Sequence, residues 1–158
     1  MVADELSALF ARDLTRLIQQ LRAFPDDGRV WNVAPGITNS AGNLALHLEG
    51  NLREYIGRQL GGIDYTRHRP QEFSEKGLGI DELVARIEAV RDAIVRVIAS
   101  LPATMLDAVY PEDVLGTPLS TRQFLIHLQG HLNYHLGQID YLRRITTGDG
   151  AIALGGLE

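Results

Sequence analysis

Cysteine is absent from the 158 residues, which excludes disulfides, thiolate metal ligands and a cysteine nucleophile together. Lysine is nearly absent as well: Lys76 is the single one, and the other fourteen of the fifteen basic residues are arginines scattered without a basic tract. Twenty acids leave the formal charge at −5, so no nucleic-acid partner is expected. No apolar run approaches the roughly 18–20 residues that span a bilayer. The N-terminus, Met1-Val2-Ala3-Asp4-Glu5, turns acidic without the cationic and apolar regions of a signal peptide. A soluble, cytoplasmic protein with no membrane partner is the expectation. Persistent apolar–polar alternation, the mark of a half-buried strand, is also missing. What the chain does have is core material: 45% hydrophobic and 22% charged residues with mean hydropathy −0.04, in a length suited to one compact domain.

Helical periodicity supplies the organisation. Leu6, Phe10, Leu14, Leu17, Ile18 and Leu21 recur at three- and four-residue steps, predicting a helix from about Asp4 to Phe24. Pro25-Asp26-Asp27-Gly28 stops it, and a loop runs through Trp31, Pro35, Gly36 and Asn39. A second helix is expected from Ser40, a plausible N-cap, to Leu60 before Gly61-Gly62, followed by a polar linker from Asp64 to Gly79. A third opens at Asp81, carries Leu83, Ile87, Val90, Ile94 and Ile98 on one stripe, and stops before Pro102. After a loop of fifteen or so residues, Ser120 with Gln123 three positions on fits a capping box, with Pro118 as an alternative first helical residue. The fourth helix reaches Thr147, where Gly148 is a natural C-cap. Four long helices and no strand predict an all-α four-helix bundle over residues 1–150, with 151–158 as a loose tail or an oligomer contact.

The chain also resembles itself. Leu46-His47-Leu48-Glu49-Gly50-Asn51-Leu52 matches Ile126-His127-Leu128-Gln129-Gly130-His131-Leu132 at an offset of eighty, and Ser40/Ser120 and Gly57/Gly137 keep that offset. The second and fourth helices are therefore expected to be equivalent parts of two helical hairpins related by an approximate two-fold.

Five histidines occur, three of them at four-residue steps: His127, His131 and His135. Each step advances about 40° around a helix, so the three form a drifting stripe. His135 points into the apolar sector, His131 lies beside it and His127 is at the margin. Neighbours in the stripe are about 6 Å apart along the axis and can converge on one ion, whereas His127 and His135, about 12 Å apart, cannot. The pair is 127/131 or 131/135, and the direction of burial selects His131 and His135, leaving His127 behind the ligands or at the surface. A third ligand must come from elsewhere. His47 is the one histidine outside this stripe that a regular helix would hold, while His68 sits in the linker and reads as an exposed loop residue. Three imidazoles and one open position describe a catalytic rather than a closed structural site. Gln138, one turn on, is placed to hydrogen-bond near that opening, and Asn51, Tyr55 and Arg58 are candidates for lining the approach.

The run His127-Leu128-Gln129-Gly130-His131-Leu132-Asn133-Tyr134-His135-Leu136-Gly137-Gln138-Ile139 resembles the last-helix signature of the DinB-like superfamily, close to H-x3-H-x3-H-x-G-Q-[IL], and Pro35 to Leu48 is similar to its second-helix segment. The resemblance implies a four-helix bundle that binds zinc, nickel or a similar ion, commonly as a homodimer, with ligands at His47, His131 and His135. It further implies a metal-dependent S-transferase or hydrolase acting on a small-molecule substrate with a low-molecular-weight thiol as co-substrate. The competing expectation is a non-catalytic binding or stress-response module whose ion is structural. The repeat pairs His47 with His127, so a site built from His47, His131 and His135 would break the internal symmetry.

Overall fold

The computed structural model describes residues 1–154; the rest of the expected tail, 155–158, lies outside them. Six helices run through the described residues: α1 (Val2–Arg22), α2 (Ala41–Leu52), α3 (Arg69–Ser74), α4 (Ile80–Ser100), α5 (Ala103–Asp107) and α6 (Thr121–Thr147). Helix α2 continues through a π-helical turn, Arg53–Arg58, into a last α turn, Gln59–Gly61. The four long helices coincide with those expected, to within about two residues at most ends. The short α3 and α5 fall in segments read as linker and loop.

Caps explain the boundaries. Ser40 accepts a hydrogen bond from the Asn43 N–H, and Ser120 and Gln123 form the reciprocal capping box, so α6 starts after Pro118 rather than at it. Gly148 ends α6 at φ 82°, in the left-handed region open to glycine.

The long helices form a ring in which α1 packs on α4 and α6, and α2 packs on the same two. Exchanging α1 with α4 and α2 with α6 maps this pattern onto itself, as the eighty-residue repeat requires. The halves are not packed hairpins, however, because α1 and α2 occupy opposite corners. Phe10, Leu14, Leu17 and Leu21 of α1, Leu48 and Leu52 of α2, Ile87, Ile94 and Ile98 of α4, and Leu125, Leu132 and Ile139 of α6 fill the centre with essentially no exposure.

Polar layers lock α1 to α6. The buried Asp13 carboxylate accepts from Arg12, Arg16, Gln129 and Asn133. Farther along, buried Arg143 donates to Gln20 Oε1 at 2.8 Å, and Gln20 Nε2 donates to Asp140 at 2.9 Å. Among the described residues no helix is long and apolar enough to cross a membrane.

Candidate metal centre

The packing of α2 on α6 brings His47 against the pair His131 and His135. All three present Nε2 to a common point: His47 Nε2 is 3.2 Å and His135 Nε2 3.1 Å from His131 Nε2. Donors held about 2.0–2.1 Å from an ion in a tetrahedral arrangement are about 3.3 Å from one another, so the spacing is close to a coordination edge. Hydrogen bonding among the rings does not account for it, because His131 Nε2 faces both neighbours and carries at most one hydrogen. Among the described residues these three side chains form the one cluster with ligand atoms all within 4.8 Å.

The far side of two of the rings is tied down. His47 Nδ1 donates to Glu72 Oε2 at 2.8 Å, and His135 Nδ1 donates to Gln138 Oε1 at 2.6 Å. Each bond puts the ring hydrogen on Nδ1 and leaves the Nε2 lone pair directed inward. Glu72 is buried and is itself held by Arg67, whose Nε and Nη2 bond its two oxygens at 2.7 and 2.9 Å. Helix α3 carries Glu72 there. Its backbone is bound to α2 through Asn43, whose amide donates to the carbonyls of Glu72 and Glu75 at 3.1 and 2.9 Å, and Phe73 packs 5.1 Å from the His47 ring. Gly50, one turn from His47, makes room, since a Cβ there would run into the Glu72 carboxylate. His131 Nδ1 is buried without a hydrogen-bond partner among the described residues.

Residues 5–148 match the family model described as mycothiol-S-transferase. The chain belongs to that family. No match is found among curated proteins. Two solved structures share the fold: a DinB-like protein from Bacillus cereus, at 18% identity and TM-score 0.68 over 93% of this chain and 91% of that one, and a DinB-like protein from Bacillus subtilis, at 15% identity and TM-score 0.69 over 94% and 95%. The expected DinB-like superfamily and all-helical bundle therefore hold.

In this mycothiol S-transferase family member the site's electrostatics favour uncharged imidazoles. Burial, reinforced by the neighbouring His135 and His47, pushes the His131 pKa down from 6.5 to about 4, and burial lowers that of His135. Burial alone would raise the Glu72 carboxyl, but hydrogen bonds from His47 and Arg67 and the charge on Arg67 outweigh it and hold the group below its ordinary range.

The other candidates divide. His127 is exposed and stacks on Phe124 at 5.9 Å between ring centres, away from the cluster, and His68 is exposed beside α3. Gln138 bonds the outer nitrogen of His135, not the converging side. Asn51 is buried, and its Oδ1 has no hydrogen-bond partner among the described residues. Tyr55 and exposed Arg58 line a cleft of about 530 Å³ with Arg67 and Arg69, where the Arg67 guanidinium lies 5.6 Å from the Tyr55 ring centre. Glu72 and Arg67 were missed by the reading of the sequence. The available signal was Arg69-Pro70-Gln71-Glu72, a proline in a first helical turn followed by an acid.

Proposed function

We propose that this chain is a metal-dependent thiol S-transferase in which Nε2 of His47, His131 and His135 hold a divalent ion, zinc or nickel, and leave one position for a low-molecular-weight thiol. The observation that carries the reading is the convergence of three Nε2 atoms at coordination-edge spacing, two of them oriented from behind by Glu72 and Gln138. Family membership supports the thiol. When bound, the ion supplies positive charge that lowers a thiol's pKa, so that sulfur is presented as thiolate near neutral pH. The protein's part is to keep the rings uncharged and aimed. With a pKa of about 4 in the metal-free site, His131 offers its lone pair at pH 7 without proton competition. Glu72 makes His47 a stronger donor by accepting its Nδ1 hydrogen. The cleft at Arg58, Arg67 and Arg69, which Glu54 and Glu112 also line, has the mixed polar wall that suits the polar body of the thiol. No cysteine of the chain competes for the ion. Homodimerisation and cytoplasmic residence accompany this reading.

The test is elemental analysis of untagged protein. Wild type and His127→Ala are expected to carry stoichiometric metal, whereas His47→Ala, His131→Ala and His135→Ala lose it. Metal lost from His127→Ala and His131→Ala but kept by His135→Ala would move the site to the other pair. Conjugation of mycothiol, bacillithiol and glutathione to an electrophile then tests turnover, and sedimentation tests the dimer.

A further inference from the structure

An apolar cleft of about 440 Å³ opens beside the histidine cluster, between the loop Gly36–Asn39 that leads into α2 and the outer face of α6. His135 is part of its wall, so the cleft abuts the cluster. Its other walls are largely hydrocarbon and aromatic: Ile37 and Leu44 on one side, Tyr134, Tyr141 and Ile145 on the other. Tyr134, Tyr141 and Ile145 are 61–65% exposed, an unusual outlay of large apolar side chains on one helix face. Thr38 and Asn39 add polar atoms at the loop side, and Gln138 is the polar group bonded to the cluster. Gln138 uses its carboxamide oxygen for His135 Nδ1, which leaves its N–H2 as a donor at the junction of cleft and cluster. The size is that of a small-molecule site, and the pattern of apolar walls with an oriented polar group next to reactive chemistry is that of a substrate pocket. The contrast with the polar cleft at Arg58, Arg67 and Glu112 matters, because a polar thiol and an apolar acceptor need different walls.

We infer that this cleft binds the apolar, aromatic body of the electrophile that receives the thiol, with its reactive carbon directed at the histidine cluster. The inference rests on the thiol-transfer reading and adds the acceptor's class to it. For a benzylic halide the step balances as follows: a C–S bond forms as the C–halogen bond breaks, the halide leaves with the bonding pair, and the thiol proton passes to solvent. Nothing is oxidised or reduced.

The experiment separates binding from turnover. 4-Nitrotoluene, an unreactive analogue of 4-nitrobenzyl chloride, is titrated into full-length, metal-loaded protein without thiol and followed by ligand-observed NMR. Saturable binding is expected in wild type and in Val109→Ser, an exposed apolar position elsewhere. It is expected to weaken about tenfold in the Tyr141→Ser/Ile145→Ser double variant, whose far-UV circular dichroism and metal content stay those of wild type. With 4-nitrobenzyl chloride and thiol, the double variant should raise KM for the halide and leave KM for the thiol in place. Binding that is absent from wild type, or equal in the double variant, overturns the inference. So does a change in sedimentation of the double variant from dimer to monomer with probe binding unaltered, which would make this face a contact between copies. Binding in the cleft with no turnover for any thiol would instead remove the transferase reading while leaving an apolar-ligand site.

Discussion

Glu72 touches none of the converging nitrogens, yet it sets the orientation of one of them. Its carboxylate accepts from His47 Nδ1 and is clamped by Arg67, so the Glu72→Gln variant keeps the shape but loses the charge that both partners answer. Metal affinity should drop about 10–100-fold, measured by competition with a chromogenic chelator, while helical content stays the same; an unchanged affinity would show that His47 needs no support from α3. The pH response is also decided by single residues. In the metal-free protein the unfolded chain takes up a proton at His131 below pH 6.5, which the folded chain refuses until about pH 4. Stability therefore falls as pH is lowered through that window and is untouched by this group above it. His135 acts in the same direction, and Glu72, with its pKa lowered, loses its contribution as pH falls below the ordinary carboxyl range. Urea midpoints of chelator-treated protein should decline from pH 7 to pH 4, and a profile that is flat or rises on acidification would contradict the assignment of neutral, buried imidazoles.

Helix α2 and helix α6 carry glycines at equivalent places in the repeat, and the two places differ physically. Gly50 faces the Glu72 carboxylate, whereas a Cβ on Gly130 would meet nothing within 4 Å. Gly50→Ala should push Glu72 from His47 and weaken metal binding, with some loss of stability. Gly130→Ala should stabilise the protein by about 0.5–1 kcal/mol through helix propensity, provided no second copy covers that face. Thermal denaturation of the two variants, with metal titration of the first, checks both. Much of this scale was legible beforehand, because caps and apolar stripes are local: Ser40, Ser120, Pro102 and Gly148 all mark real ends. Helix α3 was not. Its six residues are too few for a periodic signal, and an isolated helix of that length is not stable in water. It is held through Asn43, Phe73 and Glu72, contacts that span about thirty positions of sequence.

At the scale of the molecule the core and the site are separable. The apolar interior runs the length of the ring and does not depend on the histidines, so removing metal with a chelator should lower Tm while leaving the far-UV circular dichroism that of a folded bundle; collapse of helicity would indicate an ion needed for folding. The α1–α6 layers are a different matter. Asp13 is fully buried and ties together two arginines and two amides, so Asp13→Ala should cost about 3–5 kcal/mol in chemical denaturation, with metal content per folded molecule unchanged. The amino-acid sequence alone determined the helices, their ends, the absence of any cysteine chemistry, and the stripe that singles out His131 and His135, because each of these depends on residues within a few turns of one another. It also pointed to His47, since few histidines exist and only that one was held by another long helix. Tertiary structure decided how the rings meet, that α1 and α2 take opposite corners although the halves repeat, and that a carboxylate and a guanidinium from a segment read as linker stand behind the site. Those outcomes turn on which surfaces pack across the bundle, and side-chain spacing along one helix carries no information about the neighbour it will face.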